Sequence, residues 1–149
     1  MNRTPVALAI ALAACTGSSQ DIGASLASKV AAGGTAAIDL SPLGPPSWQR
    51  VCVLRPYTTN DTAALVLGFK WDAGSKTSIA TNDGINVLVF VRGTEVVAYT
   101  EHPRSLGDLS KLEPQCLPRS GATVVRKADE QGWVYLVAPG TTDPAGLDR

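Results

Sequence analysis

The sequence has little of what several familiar functional classes require. It contains one histidine, three cysteines and 5% aromatic residues in a chain of 149. Lysine and arginine together number 13, and so do aspartate and glutamate, so positive charge is not in excess. A nucleic-acid surface or a polybasic site for anionic lipids needs such an excess. The charge balance therefore argues against both classes, and we predict no nucleic-acid partner.

Groups that bind metals or carry out catalysis are also sparse. His102 is the single histidine, and no C-x-x-C or H-x-x-x-H spacing occurs. Zinc sites and thioredoxin-like centres use such spacings. No serine stands in a G-x-S-x-G elbow, and no G-x-x-x-x-G-K phosphate loop is present. We therefore predict no metal, no cofactor and no catalytic residues.

Long apolar runs are absent too, and the one short run lies near the amino terminus. Val6–Ala14 is an unbroken apolar stretch of nine residues that follows a positive segment containing Arg3. Nine helical residues rise about 14 Å, well short of the roughly 30 Å hydrocarbon core of a bilayer. The pattern predicts a signal peptide over residues 1–14 and no membrane-spanning helix.

The end of this run carries a motif of its own. Leu12-Ala13-Ala14-Cys15 resembles the lipobox of bacterial lipoproteins, an aliphatic residue and two small residues before a cysteine. The resemblance implies cleavage before Cys15, lipid on its thiol and a membrane anchor. Thr16 follows, and by the sorting rule of Gram-negative lipoproteins a residue other than Asp there implies the outer membrane, facing the periplasm. The alternatives are an ordinary signal peptide with a chance cysteine, or a buried amino-terminal helix.

Lipidation of Cys15 would leave Cys52 and Cys116 as an even pair in an oxidising compartment. Such a pair predicts a disulfide. The alternative is that both are buried free thiols.

The mature chain divides into three parts by composition. Residues 15–34 are rich in Ser, Ala and Gly, a composition that predicts a tether. Within them Ile22, Leu26 and Val30 recur at helical spacing, so we expect residues 20–32 to form either a short helix or a disordered linker. Residues 35–138 predict a single domain, and residues 139–149 a disordered tail.

Within the domain, strand patterns outnumber helix patterns. We expect an edge strand at Thr35–Leu40, a strand at Val51–Leu54 and a hairpin of Ile85–Val91 with Thr94–Thr100. A second hairpin joins Ala122–Ala128 to Trp133–Ala138. We also expect a short helix with its apolar body at Ala63–Leu67, capped by either Thr59 or Asn60 and ended by Gly68. These patterns predict an α+β fold: an antiparallel sheet of four to six strands with one or two short helices on one face.

A second resemblance covers residues 47–118. Short segments match the motifs of a family of small uncharacterised bacterial envelope proteins, although Gln49 and Arg55 depart from the pattern. The matching segments are Trp48–Val51, Arg55–Thr58, Leu67–Trp71, Asp83–Val91 and Glu101–Arg104. The resemblance implies an envelope location and no assigned activity.

The densest polar group next to a strand end is Glu101, His102 and Arg104, which we take as candidate partner-binding residues within a polar loop of residues 101–115. The alternative is a solvated loop in which Arg104 pairs with Glu101. We expect a membrane-anchored envelope lipoprotein without catalysis, a binding or structural module whose partner is another envelope component. Two alternatives remain: a periplasmic inhibitor of a hydrolase such as lysozyme, inserting residues 101–118, and a small hydrolase that uses His102 with a serine such as Ser105.

Overall fold

The computed structural model of the protein describes residues 19–142. The predictions for Cys15, for the signal peptide and for the last seven residues of the tail lie outside this range. Residues 19–142 form three α-helices and seven β-strands. The helices are α1 (Ser19–Ala31), α2 (Asn60–Leu67) and α3 (Ala73–Lys76); the strands are β1 (Ile38–Asp39), β2 (Arg50–Leu54), β3 (Ile85–Arg92), β4 (Glu95–Pro103), β5 (Cys116–Pro118), β6 (Thr123–Ala128) and β7 (Val134–Val137).

The segment for which the sequence predicts either a short helix or a disordered linker forms helix α1. Ile22, Leu26 and Val30 are all buried in one core cluster with residues of the sheets. Their i, i+4, i+8 spacing places them on one face of the helix. Helix α1 therefore packs into the same core as the residues that follow position 35.

Helix α2 begins and ends at the residues that the sequence indicates. The Thr59 side chain accepts a hydrogen bond from the Thr62 amide, which satisfies one of the free amides of the first turn. Gly68 ends the helix in the left-handed conformation with φ of 80°, and its amide bonds to the carbonyl of Ala64. The cap at Gly68 is confirmed, and of the two residues predicted as the amino-terminal cap, Thr59 and Asn60, it is Thr59 that caps the helix.

The larger sheet is antiparallel and has the strand order β4-β3-β2-β5. Strand β3 lies between β4 and β2, and all of its residues except Arg92 are buried. A strand that is apolar on both faces needs cover on both sides. Here α2 and α3 cover one face, while α1 and a second sheet cover the other. The α+β prediction is confirmed, with two short helices sharing one face of a four-stranded sheet.

The smaller sheet has the order β1-β6-β7 and is also antiparallel. We predicted its hairpin and its edge strand but not its separation from the main sheet. Its buried residues Ile38, Val124 and Leu136 join the cluster that contains Trp48 and Phe90, whose rings meet edge-to-face at 5.3 Å. No helix between residues 19 and 142 is long and apolar enough to cross a bilayer.

Two sequence-based expectations about exposure and local structure are wrong. Strand β4 runs on to Pro103, so the first three residues of the region 101–115, which we expected to be a polar loop, belong to the sheet. The sequence also favours core positions for the aromatic residues Tyr57 and Trp71, but Tyr57 is 60% exposed and has a φ of 62°. Trp71 is half-buried against Tyr99, so it does contribute to packing.

Gly107 lies where the second sheet and α1 meet, and a larger residue does not fit there. Its φ is 127°, and an added Cβ would lie 2.9 Å from Leu136 Cδ1 and 3.2 Å from Val30 Cγ1. We expect Gly107→Ala to lower the free energy of unfolding by about 2–4 kcal/mol, from strain and overpacking together. Urea denaturation gives the value. Gly132→Ala is the matched control, since Gly132 has a φ of 83° with no atom within 4 Å of an added Cβ. Equal losses in the two variants would refute the packing argument.

Candidate functional site

The three candidate partner-binding residues lie at the end of β4, but they do not form one surface patch. Glu101 is exposed and its carboxylate accepts hydrogen bonds from the amide and hydroxyl of Ser78, the amide at 2.6 Å. His102 is fully buried, and Arg104 turns toward Asp108. The expected pairing of Arg104 with Glu101 is therefore wrong, and His102 does not lie in a solvated loop. Alternation along the strand explains the split, because successive side chains of β4 point to opposite faces of the sheet.

His102 is held beneath the turn formed by Arg104–Leu106 and Gly107. Its Nε2 lies 3.1 Å from the carbonyl oxygen of Gly107, so Nε2 carries the proton and donates. Nδ1 has no hydrogen-bond partner. Burial lowers the pKa of His102 because desolvation penalises the imidazolium, against the opposing effect of the Gly107 and Leu106 carbonyls. The ring is therefore neutral in the folded protein at pH 7.

This geometry is not that of a histidine base in a catalytic triad. A triad needs a nucleophile on one ring nitrogen and a carboxylate on the other. In His102 one nitrogen is bonded to a backbone carbonyl and the other is unpartnered, while the Ser105 residue is exposed. Asn86, directly opposite on β3, accepts from the Leu109 amide at 2.8 Å and so helps to hold the overlying chain.

The neutral, buried state of His102 predicts a pH dependence of stability. Its folded pKa is below the unfolded value of about 6.5, so the unfolded chain binds more protons as the pH falls below that value. Stability is therefore highest above about pH 6.5 and should decline as the pH drops through the window below it. Denaturation midpoints between pH 8 and 5 measure the slope. Because the chain has one histidine, His102→Gln should remove the slope in this window; an unchanged slope would contradict the assignment.

The most connected polar group in this region is Asp108, which the sequence analysis missed. Its carboxylate is fully buried. Oδ2 accepts from Arg104 Nε at 3.0 Å and Nη2 at 2.7 Å, and from Trp133 Nε1 at 3.0 Å, while Oδ1 accepts from the Ser110 amide at 2.9 Å. Burial alone would raise the pKa of Asp108, but these hydrogen bonds outweigh it and keep the pKa below its usual value.

The hydrogen bonds around Asp108 serve to hold the fold together, because each N–H group that points at the carboxylate is already paired with it. The main chain at Asp108 also bonds to β7, through Val134 and Leu136, so the segment is fixed to the second sheet. Leu109 and Leu112 are buried close by. The middle of the segment 101–118 is thus anchored into the core at Asp108, Leu109 and Leu112.

An open groove lies beside Glu101, along the outer edge of β4. Its volume is about 570 Å³. One wall is helix α1, through Gly23, Ala24 and Ala27, and the other is the end of α3, through Lys76. Tyr99, Thr100, Glu101 and Pro103 of β4 form the floor, and Leu106 closes one side. We call this the β4 groove.

A second open groove, of about 560 Å³, lies beside α2. It is lined by α2 residues, including Leu65, and by the segment Lys70–Asp72. Leu65 is 85% exposed, the highest value among the large apolar residues of the described chain. This groove shares no residue with the β4 groove, so variants can test the two independently.

Cys52 and Cys116 lie directly opposite each other on β2 and β5. Their Sγ atoms are 2.04 Å apart, which is disulfide-bond distance. No group of three or more metal-binding side chains occurs within residues 19–142.

Comparisons of the chain with protein-family models, with curated proteins and with solved structures found no match. Functional inference therefore depends on the residues and their geometry.

Proposed function

We propose that the protein is a lipid-anchored bacterial envelope lipoprotein whose folded domain binds a protein partner and does not catalyse a reaction. The anchoring part is supported by Leu12–Cys15 and by the short apolar run before it. Two or more acyl chains on one cysteine are enough to anchor a protein stably in a membrane.

The binding part is supported by one contrast in the described chain. The buried polar groups that could have formed an active centre are engaged with each other: Asp108 with Arg104 and Trp133, and His102 with Gly107. An open groove beside them is lined by small and apolar side chains and by two charged ones. Concave surfaces with a few polar groups are the usual form of ligand sites.

Incorporation of a labelled fatty acid tests the anchor. The wild-type protein should acquire the label, and Cys15→Ser should not, because no other residue of the lipobox carries a thiol. Cys52→Ser is the matched control and should keep the label. Label on the Cys15→Ser protein, or none on the wild type, would refute the anchor.

Cross-linking in intact cells tests the binding part. A photo-reactive residue at position 24, in the β4 groove, should capture one defined envelope protein above background, whereas one at the exposed position Glu130 should not. The same cross-linked products from both positions, or no product from either, would contradict a partner that binds in the groove.

A further inference from the structure

We infer that the Cys52–Cys116 disulfide is a site of thiol–disulfide exchange, at which a protein dithiol attacks Cys116 and Arg50 stabilises the departing thiolate of Cys52. The protein is the substrate of this exchange and not its catalyst, in agreement with its lack of a C-x-x-C motif. The inference goes beyond the proposed binding function and does not depend on the lipid anchor. Two observations carry it: the position of the Arg50 guanidinium and the unequal burial of the two cysteines.

Arg50 lies on the same face of the larger sheet as the disulfide. It stands two residues before Cys52 on β2, and side chains two residues apart on a strand point to the same face. Its Nη1 atom is 3.4 Å from Cys52 Sγ and 3.8 Å from Cys116 Sγ. Its Nη2 atom donates to the carbonyl oxygen of Leu67, at the end of α2, at 2.7 Å. The bond to Leu67 holds the guanidinium beside the two sulfurs.

The charge of Arg50 is available to a thiolate. No ion pair within residues 19–142 includes this half-buried side chain. A disulfide is neutral, whereas opening it creates a negatively charged sulfur. Because hydrogen bonds between charged groups are stronger than those between neutral ones, the Arg50 guanidinium stabilises the opened state more than the closed one.

The two sulfurs differ in burial, and this difference determines which one is attacked. Cys52 is fully buried, whereas Cys116 is half-buried on β5, at the edge of the sheet. An incoming thiolate therefore reaches Cys116 and expels Cys52, which is also the sulfur nearer to Arg50 Nη1. Exchange is faster when the leaving thiolate is the more stable one. Burial and charge thus favour the same direction of attack.

The exchange proceeds in two displacement steps. A thiolate of the dithiol forms a bond to Cys116 Sγ, the bond between Cys116 and Cys52 breaks, and Cys52 leaves as a thiolate beside Arg50. The second thiol of the dithiol then attacks the sulfur already bound to Cys116 and gives up its proton to Cys116 as that residue leaves. The dithiol is oxidised to a disulfide by loss of two electrons, and the protein disulfide is reduced by gain of the same two.

Both reduced sulfurs have a polar neighbour in the fold. The Cys52 thiolate faces Arg50, and the carbonyl oxygen of Val66 lies 3.4 Å from Cys116 Sγ, where it can accept a bond from the reduced thiol. Reduction therefore removes the covalent tie between β5 and β2 without leaving either sulfur in a purely apolar site.

The rate of reduction by dithiothreitol tests the role of Arg50. It is measured at pH 7 on the folded full-length protein in detergent, in the Cys15→Ser background, by alkylation and gel mobility. Arg50→Gln should slow reduction about tenfold or more, because the leaving thiolate loses its charged partner. Arg50→Lys keeps the charge and should recover part of the rate. Arg92→Gln is the matched control, since Arg92 is a half-exposed arginine of the same sheet, and it should leave the rate unchanged.

A purely structural role for Arg50 predicts a change of the opposite sign. Loss of its bond to Leu67 would loosen the end of α2 over the disulfide, which would speed reduction. In denaturing urea the wild type and Arg50→Gln should be reduced at similar rates, because the folded position of Arg50 beside Cys52 is lost. A slower rate that appears only in the folded protein therefore identifies the effect of the charge.

Brief treatment with glutathione, stopped with excess maleimide, identifies the sulfur that is attacked. Peptide mapping should find glutathione on Cys116 and the maleimide on Cys52. Glutathione on Cys52 instead, a folded Arg50→Gln protein reduced as fast as the wild type or faster, or a folded wild type that resists dithiothreitol would overturn the inference. The background lacks Cys15, so failure of the lipid anchor would alter none of these results.

Discussion

Replacing Asp108 with asparagine should lower the free energy of unfolding by on the order of 3–5 kcal/mol, the cost of breaking a buried ion pair. Four N–H groups point at its two oxygens, from Arg104, Trp133 and the Ser110 amide. An asparagine offers one oxygen and one NH₂ group, so either orientation sets donor against donor. The side chain keeps its size, which limits the loss to the hydrogen bonds and the charge.

Chemical denaturation of Asp108→Asn at pH 7 measures this loss. Glu95→Gln is the matched control: Glu95 pairs with Arg92 at 2.8 Å, but both side chains are at least half exposed. Exposed pairs of this kind contribute about 1 kcal/mol or less. A loss at Asp108 no larger than that at Glu95 would mean that the buried network adds little to stability.

The same network has a pH signature that differs from that of His102. The folded pKa of Asp108 is below the unfolded value of about 3.9, so its contribution is complete above that pH and is lost as the pH falls through the folded pKa. The free energy of unfolding of Asp108→Asn should therefore fall less at low pH than that of the wild type. The decline below pH 6.5 that we assign to His102 should remain.

Reduction of the Cys52–Cys116 pair should lower the free energy of unfolding by about 4 kcal/mol. The two cysteines are 64 residues apart, and in the chain-entropy model a loop of that length restricts the unfolded chain by about this amount. The bond also ties β5, a strand of three residues, to β2 at the edge of the sheet. Without it, β5 retains few pairings of its own.

Denaturation with and without reductant, in the Cys15→Ser background, measures the effect. The double variant Cys52→Ala with Cys116→Ala is the control, which should be less stable than the wild type and insensitive to reductant. A wild-type protein whose stability and gel mobility do not respond to reductant would instead have two free thiols.

The sequence predicts best the elements whose signals are local. Thr59 and Gly68 mark the ends of α2 through their own backbone and side-chain chemistry. The apolar run Ile85–Val91 predicts a central strand because no exposed strand would carry it. In each case a few adjacent residues decide the outcome, and the structure confirms the prediction.

The features that the sequence does not reveal depend on contacts between distant segments. Glu101-His102-Pro103-Arg104 has the composition of a surface loop, yet His102 is fully buried with its ring against the Gly107 carbonyl. Asp108 is one acidic residue after a glycine, and nothing nearby indicates that Trp133 will reach it. Strand β5 is short and ends in proline, so its strand character comes from pairing with β2. The β4 groove belongs to this group too, since its walls come from two helices about 50 residues apart.

The intact mass of the mature protein, extracted from membranes with detergent, tests the central claim of a lipid-anchored domain most directly. We predict a chain that begins at Cys15, lacks residues 1–14 and carries added mass from acyl chains on that cysteine. A mature chain that begins at another residue, retains residues 1–14 or carries no lipid would contradict it.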